Sequence, residues 1–182
     1  MNRLIALVML LLLAPLFLVV SLAIFLEDGV PVFFVQKRVG KDYSFFPLYK
    51  FRTMKKNTPN VATHLLENPQ QYLLGLGGLL RKLSLDELPN LINIVKGNMN
   101  FIGPRPALYN QDDLMALRVA AKVHTQMPGI TGWAQINGRD TISLKEKVAL
   151  EVYYRENQSL ALDSKIIWRT FFKVAGDTSV TH

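Results

Sequence analysis

The sequence predicts an α+β fold, mainly helical with one small β-hairpin, fronted by an apolar helix at the N-terminus. Three observations predict it. Leu4 to Phe25 contains no charged residue. Two runs rich in β-branched and aromatic residues, Val32 to Gln36 and Phe45 to Met54, flank the turn signals of Val39-Gly40-Lys41-Asp42. Further on, apolar residues recur at helical spacing between Gly and Pro breaks.

Hydrophobic residues make up 49% of the 182, enough for a core. Setting the apolar segment aside leaves about 155 residues, one domain of ordinary size. The organisation is therefore residues 1–28 as a membrane segment and 29–182 as a single folded domain. There is no cysteine, which excludes disulfides, thiolate metal sites and a Cys nucleophile. The formal charge of +7 is local. Lys37, Arg38, Lys41, Lys50, Arg52, Lys55 and Lys56 fall within twenty residues against the single acid Asp42. Such a cluster needs anionic partners: lipid head groups, nucleotide phosphates or nucleic acid. Nucleic acid is not expected, because no aromatic-interleaved basic motif and no helix-turn-helix pattern accompanies the charge.

As one straight helix, residues 4–26 would run roughly 34 Å, enough for a hydrocarbon core of about 30 Å. Pro15 at the middle removes a backbone donor and predicts a break or kink. Each half alone is too short to span. The segment reads as a kinked spanning helix or as a re-entrant helix that leaves on the face it entered. A third reading is a cleaved signal peptide, with Arg3 as its basic end and Ser21-Leu22-Ala23 as the cleavage site. In either membrane reading, the basic cluster favours a cytoplasmic main domain.

Glu27-Asp28-Gly29 and Pro31 turn the chain out of the membrane, and the hairpin follows. In its second strand, alternation puts Lys50 and Arg52 on one face, either around a ligand or simply in solvent. Asn57 to Asn68, with Pro59 and Pro69 near its ends, reads as a loop. Gly75-Leu76-Gly77-Gly78 lacks the Gly-Lys-Ser/Thr of a phosphate loop and predicts a tight approach or a helix start.

Leu83 to Asn93 carries the adjacent carboxylates Asp86 and Glu87. Ser84 and Glu87 fit a capping box, but Pro89 would then lie one turn too deep in the helix. With Asp86 as the cap, Pro89 falls in the first turn, where its missing N–H costs nothing. Leu88, Leu91, Ile92 and Val95 form the apolar stripe, and Gly97 stops the helix. Gly103-Pro104-Arg105-Pro106 is a stiff loop presenting one guanidinium. Asn110 to Thr125 reads as an amphipathic helix with Leu114, Leu117 and Ala121 inward. Pro128 to Arg139 reads as a Gly-rich loop of the kind that binds ligands. Ser143 to Glu156 reads as a helix.

The last predicted helix is Ser164 to Val174. Its Lys165, Arg169 and Lys173 form a basic stripe beside Ile167, Trp168, Phe171, Phe172 and Val174. That pattern fits a helix in the membrane interface, or a surface helix packed on the core.

Asp86 and Glu87 in a first helical turn are also what ordinary capping would produce. The chemical reading differs. A helix N-terminus keeps a carboxylate ionised as a nucleophile or metal ligand and also attracts phosphate oxygens. Lys50, Arg52, Arg81, Arg105 and Arg139 would neutralise a diphosphate. Mg²⁺, held by one or two carboxylates and phosphate oxygens, would complete the site. His64, His124 and His182 stand in no Ser-His-Asp or zinc pattern.

Six segments in order resemble the small monotopic phosphoglycosyl transferases among the bacterial sugar transferases. They are Gln36 to Gly40, Tyr49 to Met54, Arg81 to Pro89, Asn93 to Met99, Phe101 to Pro106 and Pro128 to Arg139. The resemblance implies transfer of a sugar 1-phosphate from a UDP-sugar to polyprenyl (undecaprenyl) phosphate, giving polyprenyl-diphosphate-sugar and UMP. It implies Asp86 as the nucleophile that forms a covalent phospho-sugar enzyme, with Mg²⁺ beside it. Glu87 would assist, through the metal or as a base. Arg81 and Arg105 match phosphate-site positions, joined by Lys50 and Arg139. It also implies a re-entrant helix broken at Ser-Pro; here the pair is Ala14-Pro15, which lacks the hydroxyl. The implied location is the bacterial inner membrane, with the catalytic domain on its cytoplasmic face, at the first membrane step of glycoconjugate assembly. Only Met1-Asn2-Arg3 precedes the apolar run, so the chain resembles the minimal catalytic form. A non-catalytic alternative is a basic, membrane-anchored scaffold for envelope polysaccharide assembly, which needs neither Asp86 nor Glu87.

Overall fold

The structure, a computed structural model, describes residues 2–59, 67–138 and 142–176, with backbone alone for 173–176. A long helix, α1 (Asn2–Asp28), lies against a small mixed domain. The hairpin strands are β1 (Phe33–Val39) and β2 (Phe45–Phe51), antiparallel with Phe33 opposite Phe51 and Val39 opposite Phe45. The first strand runs three residues past its predicted end. The second stops at Phe51 because Arg52 turns away to another partner.

Helix α2 (Gly77–Lys82) is short. Gly77 is a glycine for space: a Cβ there would stand 2.3 Å from the Thr53 carbonyl oxygen. A 3₁₀ turn, Leu85–Glu87, leads through Pro89 into α3 (Asn90–Lys96), which Gly97 closes at φ +81°. Then come β3 (Asn100–Ile102), β4 (Ala107–Leu108), α4 (Asp112–Ala120), β5 (Gly129–Thr131), α5 (Trp133–Asn137), α6 (Leu144–Glu156) and α7 (Leu160–Gly176).

Strand β4 joins the free edge of β1, giving the order β2-β1-β4, and β3 pairs in parallel with β5. These short strands lack a periodicity of their own and were not predicted. Three other expectations need correction. Asp86 caps no helix: it sits inside the 3₁₀ turn, and α3 begins only at Asn90. The predicted helix 110–125 ends at Ala120; Lys122 takes φ +56° and a separate 3₁₀ turn, Val123–Thr125, follows. The predicted loop from Pro128 contains β5 and α5. Helix α6 agrees with the sequence: Ser143 caps it, and its hydroxyl and the Glu146 carboxylate complete a capping box.

Helix α1 is a single helix that includes Pro15. Both of its ends are held by the same domain. Asn2 Nδ2 donates to Asn100 Oδ1 at 3.1 Å. At the other end, the Gly75 N–H donates to Glu27 Oε1 at 2.6 Å, and Asp28 pairs with Arg52. Between them Ala6 packs with Phe46, Leu48, Leu91, Ile94 and Met99, while Val20 and Ile24 pack with Phe51, Leu74 and Leu80. The opposite face is bare: Leu11, Leu12, Leu18 and Leu26 are each about 70% exposed. The helix is long and apolar enough to cross a membrane.

Helix α7 has the same two-sided character. Ile166 is fully buried and Thr170 contacts Thr131 at 2.7 Å. Ile167, Trp168, Phe171 and Phe172 face outward, the Trp168 and Phe172 rings 4.6 Å apart.

Candidate active site

Three separate segments converge on Asp86-Glu87. The 3₁₀ turn follows Ser84, whose φ of +54° reverses the chain after α2 and aims both carboxylates inward. Strand β2 brings Lys50, whose Nζ stands 2.7 Å from Glu87 Oε1 and 3.9 Å from Asp86 Oδ2. The loop between β3 and β4 brings Arg105, whose Nη2 is 3.0 Å from the same Glu87 oxygen. The Arg105 side chain remains 40% exposed, whereas Asp86 is almost wholly buried. From α2, Arg81 donates from Nε to Thr53 Oγ1 at 2.9 Å and lies within electrostatic reach of Asp86.

The two carboxyls are driven in opposite directions. Burial raises Asp86 above its ordinary value; Lys50 opposes this, the charge on Glu87 adds to it, and Arg81 and Arg105 oppose it again. Burial also pushes Glu87 up, but the charges and hydrogen bonds of Arg105 and Lys50 overcome it and hold Glu87 far below the carboxylate range. Burial, offset by Asp86, lowers Arg81.

The predicted Lys50, Arg81 and Arg105 thus gather around Asp86 and Glu87. Arg52 does not join them. Its guanidinium faces the turn after α1, with Nε donating to the Pro31 carbonyl at 2.6 Å, Nη2 to that of Gly29 at 2.7 Å, and Nη1 to the Asp28 carboxylate. Arg52 therefore ties α1 to the domain. Arg52→Ala is expected to lower Tm by removing the cation paired with Asp28 and the donor to three backbone carbonyls, with little change in substrate KM. Thermal unfolding and steady-state kinetics check both. Arg139 lies outside the described residues, and Pro15 lies on α1, along the domain's flank.

The sequence reading assigned no role to Arg38 or Asn90. Arg38 donates to the Pro106 carbonyl at 3.0 Å and to Gln36 Oε1 at 2.6 Å. Burial and the nearby Arg105 charge lower it to about 10, against the pull of Glu87. Among the described residues, its Nε and Oδ1 of the buried Asn90 have no hydrogen-bond partner. Both residues line a recess with Glu87, Arg105 and Pro106. Arg38 was visible only as a member of the basic cluster and of the Gln36 to Gly40 segment. Asn93, wholly buried, accepts from the Tyr49 N–H and donates to the Pro47 carbonyl, locking α3 onto the strand that carries Lys50.

A profile of the family described as bacterial sugar transferase matches residues 1–177. The chain belongs to that family. Similar proteins include the uncharacterized sugar transferase EpsL of Bacillus subtilis (strain 168), 46% identical over 82% of this chain and 72% of its own length. The exopolysaccharide production protein ExoY of Sinorhizobium fredii (strain NBRC 101917 / NGR234) is 37% identical over 93% of this chain and 81% of its own. The UDP-glucose:undecaprenyl-phosphate glucose-1-phosphate transferase of Escherichia coli (strain K12) is 38% identical over 92% of this chain but only 38% of its own. The match thus spans most of the length of the first two relatives and little more than a third of the third.

Proposed function

We propose that this bacterial sugar transferase moves a sugar 1-phosphate from a UDP-sugar to polyprenyl phosphate through a covalent intermediate on Asp86. The observation that carries the reading is a buried carboxylate, Asp86, beside a second carboxylate clamped between Lys50 and Arg105. The names of the relatives supply the substrate class: a UDP-sugar and undecaprenyl phosphate for the Escherichia coli protein.

In the first step an Asp86 oxygen attacks the sugar-linked phosphorus, and the bond from that phosphorus to UMP breaks. UMP leaves with the electron pair, and the sugar phosphate remains as an acyl phosphate. In the second, a polyprenyl phosphate oxygen attacks the same phosphorus and expels the carboxylate. Two steps let one cationic pocket serve two anions in turn. Lys50, Arg81 and Arg105 offset charge on the phosphoryl oxygens, where most catalysis of phosphoryl transfer resides. A carboxylate held as low as Glu87 is a weak base; Glu87 acts by fixing Lys50 and Arg105. Mg²⁺ fits the donor set, with Asp86 as the carboxylate while Glu87 is engaged by the cations, and when bound would neutralise phosphate charge.

Membrane association follows from the bare apolar face of α1 and the aromatic face of α7. Because both ends of α1 touch one domain, the reading adopted is a helix that enters and leaves on the same, cytoplasmic, face of the inner membrane.

The test is UMP release by purified protein with Mg²⁺ and undecaprenyl phosphate across a panel of UDP-sugars. Silence across the panel from folded protein overturns the reading. The pH profile gives a second check. Asp86 must be ionised to attack, so activity falls as pH drops through its raised pKa. Lys50 lowers that pKa, so Lys50→Met moves the acid limb to higher pH as well as lowering the plateau. A limb that stays in place disconnects Asp86 from the rate.

A further inference from the structure

Three successive carbonyls of the loop that carries Arg105 are pinned, each by a different donor. The Pro104 carbonyl accepts from the Gly129 N–H at 2.9 Å, that of Arg105 from Arg118 Nη2 at 2.9 Å, and that of Pro106 from Arg38 Nη1 at 3.0 Å. Pro104 and Pro106 restrict φ on either side. Arg118 belongs to α4 and is 5% exposed; Glu151 belongs to α6 and is 2% exposed. Arg118 Nε donates to Glu151 Oε2 at 2.8 Å, and Nη2 reaches the other carboxylate oxygen as well as the Arg105 carbonyl.

A fully buried ion pair is a poor source of net stability, since desolvation offsets its attraction. What this pair does supply is direction. Glu151 holds the Arg118 guanidinium in one orientation, and the spare N–H then fixes the backbone from which Arg105 projects toward Glu87.

We propose that the Arg118–Glu151 pair is a positioning device for Arg105, acting on the transfer reaction from beneath the site without touching substrate. The proposal rests on the reading of Arg105 as a phosphate-site cation. It requires Arg at 118: a lysine keeps the buried charge but is a point donor and lacks the planar fork that serves Glu151 and the Arg105 carbonyl together.

A double-mutant cycle on UMP release tests it, pairing Arg118→Lys with Arg105→Ala in the full-length protein. Arg118→Lys alone is expected to lower kcat/KM for the UDP-sugar about 10- to 100-fold, the scale of a small misplacement. In the Arg105→Ala background the same change is expected to do nothing further. Losses that multiply, or an Arg118→Lys enzyme with lowered Tm and unchanged kcat/KM, overturn the proposal and leave the site reading intact. Wild-type turnover by Arg105→Ala itself overturns both. Should Arg118→Lys fail to fold, the double replacement Arg118→Leu/Glu151→Leu removes both charges together, fills the space with apolar groups, and carries the same cycle.

Discussion

Asp86→Asn is expected to lower UMP release by up to about 10⁶-fold, the scale on which removal of a single catalytic nucleophile acts, and to leave the protein folded with an unchanged or slightly raised Tm. The two halves of this expectation have one cause. Asp86 is buried with its pKa raised, so the folded state binds its proton more tightly than the unfolded chain does. At neutral pH its ionised form therefore costs stability, and this cost vanishes only below the ordinary carboxylate range, where both states are protonated. A neutral isostere removes the cost together with the nucleophile. Glu87→Gln has the opposite sign. Its folded pKa lies far below the ordinary value because of Arg105 and Lys50. Its pairing thus stabilises the fold above the unfolded carboxylate pKa and is lost as pH falls toward the folded one. Glu87→Gln should lower Tm at pH 7 and lose the effect in acid. Wild-type UMP release by Asp86→Asn would sink the nucleophile assignment, and a large fall in Tm would return Asp86 to a structural role.

The sequence carried α1, α3, α4, α6, α7 and the hairpin because their apolar residues repeat at 3.6 or 2 along continuous stretches, whereas the short α2 and α5 offer too few residues for a period. It also brought Lys50, Arg81, Asp86, Glu87 and Arg105 to notice, through charge set against Gly and Pro and through the family resemblance. Arg52 was misread because alternation holds only while the strand lasts. Beyond Phe51 the chain leaves the sheet, and the guanidinium finds carbonyls at residues 28–31. Arg118 and Glu151 were illegible for another reason. They are 33 residues apart in the chain, and on its own each is an ordinary charge on an amphipathic helix. Only the packing of α4 on α6 makes them a buried pair. The cap at Asp86 failed because Ser84 adopts positive φ, a conformation that its side chain does not advertise.

The largest effect on stability is expected from α1. Read as sequence, it is a membrane segment; in the structure its inner face completes two core clusters. Ala6 closes one over Leu91, Ile94 and Met99, with Met9, Leu10 and Leu13 at its edge. Val20 and Ile24 close the other over Phe51, Leu74 and Leu80, with Leu16 and Phe17 beside them. At about 1.5–3 kcal/mol for each fully buried side chain and less for the partial ones, this face contributes on the order of 10 kcal/mol. That equals the whole stability of a typical domain, about 5–15 kcal/mol. A chain reduced to residues 29–182 is therefore expected to lack a cooperative unfolding transition, in detergent as in water, because micelles cover apolar surface without refilling a packed core. Ile24→Ala in the full chain should cost about 2–5 kcal/mol. Serines at Leu12, Leu18 and Leu26, on the bare face, should leave Tm nearly unchanged and release the protein from vesicles. Thermal unfolding and vesicle flotation separate the two faces. A truncated chain that unfolds cooperatively near the full-length Tm would make α1 an anchor only, and the site would then have to be held by the sheet and α3 alone.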